Sequence, residues 1–595
     1  MRFAQSGRAP AAPVPLVVLP VILALLAGCG GPLPSPAGTP GATASPGAVA
    51  VLSWPIAADV VTTVERQVLP VTLPAGAPQL NPDQVALYEP SGYTAWQAGP
   101  GLPYVTRTDL APTYAGPAAS TRLLSFFTFS DIHVADKESP SQPIYAGSSA
   151  GFAPSGPNLS SAYSPVLLST THVLDAAVQT VNALHRRSPF DFGLSLGDDV
   201  NNTQYNELRW FIDVMDGKVI TPSSGAHAGA TTIDYQRPFQ AAGLDRSIPW
   251  YQVLGNHDQF WVGSAFETAA VRQTHIASTI LDFLHDPTLA LKPPVTANGY
   301  FGVIDGSTRY GDVIGAGLAS NFATPPTVVA DPDRRSLASD TSSSQGWLRE
   351  FFTTTSSPVG HGYSQADVDA DMTSYSFVPR AGIPVRLISL DDTCKGAGQP
   401  AYAMACLDAT RLDWLRAQLQ QGQDAGQLMI IAAHIPIRPQ VSMTDPSPYH
   451  LAAPATEDAV LALLHQFPNM VMWISGHLHG NTVTAQPYNA ADPRDHPELG
   501  FWEVETPSLR DFPQQLRTIE LRRNGDNTIS IVITDVDPAV APGSPAAKSR
   551  GYAIGAQRIF GATAAQRAST ASGAYNAVLV KQLTPAMTSK LAALR

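Results

Sequence analysis

Five short apolar runs in this chain each end in polar residues that can bind metal ions. Helical patterns separate several of these runs, for example SPVLLSTTHVLDAAVQTVNALHRR and ATRLDWLRAQLQQ. Strands that alternate with helices predict an α/β fold in which helices cover the sheets. Ligands of such folds bind where loops leave the carboxyl ends of strands, so the five turns are expected to converge. The runs are LLSFFTFS before Asp131, FDFGLSLG before Asp198, YQVLG before Asn256, QLMIIAA before His434 and MVMWISG before His477.

The polar residues at these strand ends supply oxygen and nitrogen donors but no sulfur. That donor set suits two divalent ions such as Mn, Fe or Zn, and it suits copper–thiolate or iron–sulfur centres poorly. In Asp-x-His and His-x-His, alternate residues of an extended segment point the same way and can face one ion. A carboxylate such as Asp198 can bridge two ions. The candidate ligands are Asp131, His133, Asp198, Asn256, His434, His477 and His479. Glycine precedes Asp198, Asn256 and His477, where it would allow the backbone to turn sharply.

The order of these motifs resembles the calcineurin-like metallophosphoesterase superfamily, which includes purple acid phosphatases and nucleotidases. The resemblance covers residues 121–537 and implies a four-layer α/β/β/α sandwich. The implied activity is that of a metal-dependent hydrolase, in which a metal-bridged hydroxide attacks a phosphate mono- or diester. His257 would protonate the leaving group, and Asp258 would orient its ring. The implied metal ligands are Asp131, His133 and His479 for one ion, Asn256, His434 and His477 for the other, and Asp198 between them.

The chain departs from that family pattern at Asn201. Purple acid phosphatases carry a tyrosine ligand there and many other members an aspartate, so a tyrosinate–iron chromophore is not expected. For Asn202, a helix N-cap is favoured over a phosphate contact. For Arg510, an ion pair is favoured over substrate binding. Asp391 and Asp392 are interpreted as turn residues rather than as ligands.

The N-terminal residues carry a predicted export signal. A short positive segment, an apolar stretch and Leu-Ala-Gly-Cys predict a lipoprotein signal peptide over residues 1–28, with lipidation of Cys29. The alternative is an ordinary secretory signal with a chance cysteine. Residues 29–50 are rich in Pro, Gly and Ser and predict a flexible tether. The protein is therefore expected outside the cell, anchored to the bacterial cell membrane or outer membrane. Export permits a disulfide, and we expect Cys394 to pair with Cys406.

The remaining ranges and the charge limit the possible partners. Residues 51–120 are predicted to be a small β-rich region, and residues 538–595 a linker and a helical tail. The net charge of −12, without a basic run interleaved with aromatics, argues against a nucleic-acid partner. The expected partners are a small phosphorylated substrate and the membrane. The alternative function is a non-catalytic surface-binding lipoprotein on a phosphoesterase fold, which would not need a proton donor such as His257. A metallo-β-lactamase-type hydrolase would need a His-x-His-x-Asp-His run, which is absent.

Overall fold

The computed structural model describes residues 51–116, 119–144, 164–282, 299–300, 302–338, 343–394, 405–437, 455–560 and 575–594. These residues belong to one compact unit that extends from Val51 to Arg595. The predicted signal peptide, the lipidation site Cys29 and the tether lie outside the described residues. Among the helices of the described ranges, none combines the length and the apolar character that a membrane span requires.

The helices and strands of the described residues alternate through the central part of the chain. The helices are α1 (Thr170–Arg187), α2 (Tyr205–Asp216), α3 (Ala269–Ile276), α4 (Gln345–Glu350), α5 (Gln365–Ala370), α6 (Ala409–Asp424), α7 (Glu457–Leu464), α8 (Pro545–Phe560) and α9 (Pro585–Ala592). The strands are β1 (Arg66–Pro70), β2 (Trp96–Pro100), β3 (Val105–Leu110), β4 (Ser120–Phe129), β5 (Phe192–Ser195), β6 (Val219–Ile220), β7 (Phe239–Gln240), β8 (Trp250–Gln252), β9 (Gly299–Tyr300), β10 (Val303–Ile304), β11 (Val313–Ile314), β12 (Gly317–Leu318), β13 (Tyr375–Phe377), β14 (Val385–Leu390), β15 (Leu428–Ala433), β16 (Met470–Ser475), β17 (Thr482–Gln486), β18 (Phe501–Glu505), β19 (Leu516–Asn524), β20 (Thr528–Val536) and β21 (Ala577–Gln582).

Two large mixed sheets organise the molecule. The first sheet has seven strands in the order β3-β21-β20-β19-β4-β5-β8, in which β4, β5 and β8 run parallel. The second has six strands in the order β13-β14-β15-β16-β18-β17, with β14, β15, β16 and β18 parallel and antiparallel strands at both edges. Several strands of each sheet therefore end at a common edge.

Apolar side chains of both sheets share one core. Phe126 and Phe192 of the first sheet stack with ring centroids 4.6 Å apart, and they belong to the same buried cluster as Ile430 and Ile474 of the second sheet. Another group of buried apolar side chains joins α1 and α2 to the first sheet, and a further group joins α6 and α7 to the second sheet. The fold is therefore mixed α/β, as the alternation of patterns predicts.

Local sequence accounts for several element boundaries. Helix α7 begins after Thr456, whose side chain accepts a hydrogen bond from the amide of Ala459 at 3.2 Å and so caps the helix. Asp408 caps α6 in the same way, with the amide of Arg411 as donor. Strand β8 ends at Gln252, although the apolar residues continue to Leu254.

The prediction of a helical C-terminal tail is wrong in part. Residues Ala577–Gln582 form β21, which lies inside the first sheet and pairs with β20 and β3. A short apolar run can be a strand or a buried helix segment, and periodicity alone does not distinguish them. Because β3 and β21 are neighbours, the ranges 51–120 and 538–595 both contribute strands to the sheet that carries part of the site.

Candidate metal centre

The candidate ligands lie on turns that directly follow parallel strands. Asp131 follows β4, Asp198 follows β5 and Asn256 follows β8, and these three strands are adjacent in the first sheet. His434 follows β15 and His477 follows β16, which are adjacent in the second sheet. Carboxyl ends of neighbouring parallel strands meet at one edge, and so the fold brings residues that are far apart in sequence into one site.

Most of these turns have unusual backbone conformations. Positive φ angles between 47° and 76° occur at Asp131, His133, Asp198, His477 and His479. A non-glycine residue in this region costs on the order of 1–3 kcal/mol, and such residues cluster at functional sites. The strain is spread over five of the seven candidate ligands, which indicates that the turns are shaped by what their side chains must reach.

The three glycines that precede ligands act for two different reasons. Gly197 has a φ of 92°, the sharp turn that its place before Asp198 predicts. Gly255 and Gly476 are instead required by close packing. A Cβ on Gly255 would stand 2.2 Å from Asp198 Oδ1, and a Cβ on Gly476 would stand 1.7 Å from Ser130 Oγ. The predicted role of these two glycines in turning the chain is therefore replaced by a requirement for space.

Asp131, His133 and His479 form the first cluster. His479 Nε2 lies 3.4 Å from Asp131 Oδ1 and 3.2 Å from His133 Nε2. The carboxylate of Asp511, 2.8 Å from His479 Nδ1, orients the His479 ring so that Nε2 faces the cluster. The amide of His477 donates to both oxygens of Asp131, at 3.1 and 2.9 Å, and fixes that carboxylate. Two imidazole nitrogens and a carboxylate oxygen thus converge on one point, as a cation ligand set requires.

Asp198, His434 and His477 form the second cluster. His434 Nδ1 donates to the carbonyl of Leu196 at 2.8 Å, which leaves Nε2 directed into the site. Within the described residues His434 Nε2 is buried without a hydrogen-bond partner, and it lies 3.1 Å from Asp198 Oδ2. His477 Nδ1 lies 3.0 Å from Asn256 Oδ1. A metal ion between these ligand atoms would satisfy a buried nitrogen that has no hydrogen-bond partner.

The two clusters adjoin each other through His133 of the first and Asp198 of the second. Asp198 Oδ2 lies 3.6 Å from His133 Nε2, and these two residues form a third group with His257 whose ligand atoms lie within 4.8 Å of one another. Asp131 Oδ1 is also within 4.0 Å of His434 Nε2. Two carboxylates therefore occupy the middle of the site and imidazoles surround them. The residues present fit two adjacent divalent cations, with Asp198 placed between the two ligand sets.

The electrostatics of the site favour positive charge at its centre. Burial alone would lower the pKa of His434, but the Asp198 carboxylate outweighs it and raises the pKa to about 10. Burial opposes the same change at His479, where Asp511 and then Asp131 raise the pKa to about 10. A field that holds protons on two buried imidazoles would also hold divalent cations in their place. His477, by contrast, has a pKa lowered to about 4 by burial and by His434.

His257 lies beside the clusters, with its ring centroid 4.4 Å from that of His133. Its Nδ1 is 2.8 Å from the backbone carbonyl of Asn201, and its amide donates to Asp198 Oδ1 at 2.8 Å. Burial lowers the pKa of His257 to about 4; Asp198 opposes this change and Arg510 adds to it. The ring is thus oriented by a carbonyl group at Nδ1, and Nε2 is the nitrogen that this contact leaves available.

The predicted role of Asp258 is wrong. Its carboxylate does not orient the His257 ring but accepts hydrogen bonds from the backbone amides of Gly255, Asp198, Asp199 and Val200, at 2.8 to 3.3 Å. The cause is geometric, since the side chain turns back toward the β5 turn and away from the ring. Asp258 therefore joins the turn after β5 to the turn after β8.

Asn202, Asp391 and Asp392, which were not predicted to bind metal, form hydrogen bonds with nearby protein groups. Helix α2 is capped at Gln204, so Asn202 is not its N-cap; Asn202 bonds to Gln142 and to the amide of Val262. Asp391 and Asp392 are fully buried. Asp391 accepts from Thr393 and Asp392 accepts from the amide of Ile435.

Arg510 is buried near the site, where its Nη1 donates to Asn201 Oδ1 at 2.5 Å. Cys394 and Cys406 are joined by a disulfide, with their Cα atoms 4.6 Å apart.

Two residues at the site are missed by sequence reasoning. Asp511, the partner of His479, stands 32 positions away in the chain, and its only local signal is a place in the turn SLRDF. Gly263 lies against the His257 ring, and a Cβ there would stand 2.1 Å from His257 Cδ2. No periodic pattern marks either residue.

Comparisons with known proteins add little to this geometry. No family model matches the chain, and no curated protein matches it. Among solved structures, a dimetal phosphatase from Danio rerio is similar over 70% of this chain and 100% of that chain, with 12% sequence identity and a TM-score of 0.33. That TM-score is too low to establish a shared fold.

Proposed function

We propose that this protein is a hydrolase that uses two divalent metal ions to cleave a phosphate mono- or diester. The observation that carries the proposal is the convergence of two buried carboxylates and four imidazoles from four separate strand ends. The shared core between the two sheets, with helices against each, supports the four-layer arrangement expected for such a hydrolase.

Each side chain has a distinct proposed role. One ion would be held by Asp131, His133 and His479 and the other by Asn256, His434 and His477, with Asp198 between them. The chemistry that the ions supply when bound is activation of water and neutralisation of charge at phosphorus.

His257 is the proposed acid for the leaving oxygen. Because Nδ1 is engaged by the Asn201 carbonyl, a protonated His257 would donate from Nε2. The pKa of about 4 describes the protein without metal ions or a substrate. The negative charge of a bound phosphate ester would favour the protonated ring.

The proposal is tested by metal analysis together with turnover of a chromogenic phosphomonoester and phosphodiester. We expect His257→Ala to keep its metal and to lose about 10²- to 10⁴-fold in turnover, as for loss of a general acid. Asp198→Ala should lose metal as well. A wild-type rate in His257→Ala would refute the acid role. Wild-type protein that binds two metals but turns over neither ester would instead favour a non-catalytic binding protein.

We further propose that the protein is exported and anchored by a lipid at Cys29. The Cys394–Cys406 disulfide supports this, because disulfides persist in oxidising compartments. Metabolic labelling with a fatty acid should mark the wild-type chain and not Cys29→Ser. Equal labelling of both chains would contradict the anchor.

A further inference from the structure

Gln142 occupies the centre of a buried hydrogen-bond network beside His257. Only 1% of its surface is exposed. Its Oε1 accepts from the side-chain amides of both Asn201, at 2.8 Å, and Asn202, at 2.6 Å. The backbone of Gln142 is itself held, because its amide donates to the carbonyl of Ser139 at 3.0 Å.

The far ends of the network determine its donor and acceptor directions. Arg510 has only donors, so Asn201 must present Oδ1 to it, and the observed distance is 2.5 Å. The amide of Val262 can only donate, so Asn202 must present Oδ1 to it, at 3.1 Å. Both asparagines therefore turn their NH₂ groups toward residue 142. Only a side chain that accepts two hydrogen bonds can satisfy that position.

The network ends at three groups that surround the His257 ring. The backbone carbonyl of Asn201 holds His257 Nδ1, and the Asn201 side chain holds Arg510. Asn202 holds Val262, a β-branched residue with a φ of 44°. That conformation is strained and needs support from its surroundings.

The residue after Val262 is Gly263, and it packs on the reactive side of the ring. A Cβ on Gly263 would stand 2.5 Å from His257 Nε2. The turn supported by Asn202 therefore forms a wall beside the nitrogen that faces a substrate.

We propose that Gln142 is a positioning residue for the leaving-group acid. Acting through Asn201 and Asn202, it fixes the His257 ring, the Arg510 guanidinium and the Val262–Gly263 turn in one arrangement. The inference rests on the proposed hydrolase function. It predicts that residue 142 affects catalysis through its two acceptor bonds and not through its contribution to stability.

The test compares three variants in the full, metal-loaded protein. Gln142→Met removes the acceptor at similar size, whereas Gln142→Glu keeps an oxygen acceptor and adds a buried charge. Both variants lose the donor that Gln142 Nε2 offers to the carbonyl of Pro143, so this bond does not distinguish them. Gln236→Met is the matched control, since Gln236 is 2% exposed and its amide donates to Glu138 and to the carbonyl of Gly306. The measurements are kcat and KM for a chromogenic ester, metal content, melting temperature, and the His257 ring signal in protein with ¹³C-labelled histidine.

We expect kcat of Gln142→Met to fall by about 10- to 100-fold, with metal content unchanged, because small misplacements of a catalytic group cost that much. Its His257 signal, assigned by its loss in His257→Gln, should shift. Gln142→Glu should keep kcat within about threefold even though the buried charge lowers its melting temperature more than the methionine does. A purely structural role predicts the opposite order, with the glutamate variant more impaired.

Three outcomes would overturn the proposal. The first is a wild-type kcat and a wild-type His257 signal in Gln142→Met. The second is a loss of kcat in Gln236→Met that equals the loss in Gln142→Met. The third is a greater loss of kcat in Gln142→Glu than in Gln142→Met. If Gln142→Met does not fold, Gln142→Asn replaces it in the test, because asparagine withdraws the same oxygen by one methylene. Its kcat should fall by at least about tenfold, and an unchanged kcat overturns the proposal. If the wild-type protein hydrolyses no ester, the proposed function fails, and the His257 signal alone then decides the positioning role.

Discussion

Replacement of Asp511 by asparagine should weaken metal binding at the site of His479. The Asp511 carboxylate is buried and lies 2.8 Å from His479 Nδ1, and it is the main cause that raises the pKa of His479 to about 10 against the effect of burial. Asparagine keeps an oxygen for Nδ1, so the ring should stay oriented while the negative charge is lost. Loss of such a partner costs about 10- to 100-fold in metal affinity. Because the hydrogen bond survives, we expect the lower value, about tenfold or 1.4 kcal/mol.

The assay is a competition titration with a metal chelator at neutral pH, followed by elemental analysis of the bound fraction. Asp495→Asn is the matched control, because Asp495 lies 3.9 Å from the exposed His496, outside the site. The control should bind metal as the wild type does. Equal affinity in Asp511→Asn and wild type would refute the reasoning, because the carboxylate would then have no influence on the ligand that it orients.

Three further predictions follow from contacts around the site. Gly263→Ala should lower turnover by about 100-fold, because its Cβ would meet both the His257 ring and the side-chain amide of Asn256. Gly229→Ala, at a φ of 80° with open space around it, should keep the wild-type rate, and equal rates in the two variants would contradict this. Asp258→Ala should lower the free energy of unfolding of the metal-free protein by about 3 kcal/mol or more, because buried backbone amides lose their acceptor. A urea titration measures this change, and a loss below about 1 kcal/mol would contradict the structural role of Asp258. Metal loading at neutral pH should release protons, because His434 has a pKa of about 10 and must deprotonate to bind a metal ion. Calorimetry in two buffers of different ionisation enthalpy measures the proton release, and identical heats in the two buffers would contradict it.

The positions of the candidate ligands at strand ends could be predicted from sequence because each motif is local. An apolar run predicts a strand, and the residues that follow it must lie at the end of that strand. The rule that neighbouring parallel strands end at one edge then brings Asp131 close to Asp198 in the first sheet and His434 close to His477 in the second. Strand β21 could not be predicted in this way, because a six-residue apolar run has no property that separates a strand from a buried helix segment.

Contacts between distant residues were outside the reach of the sequence. The choice of Asn201 rather than Asp258 as the partner of His257 depends on where two turns cross, and no pattern within either turn encodes it. The same holds for Gln142, which is 59 positions from Asn201 and resembles any other loop glutamine. Gly255 is conspicuous in the sequence, yet its reason, the close approach of Asp198, exists only in the folded chain.

The number of metal ions bound per chain tests the central claim most directly. Elemental analysis of purified, metal-loaded protein should give about two equivalents per chain in the wild type. His434→Ala, which removes the buried Nε2 that lacks a hydrogen-bond partner among the described residues, should retain about one. Fewer than two equivalents in the wild type, or an unchanged content in His434→Ala, would contradict a dinuclear centre at this site.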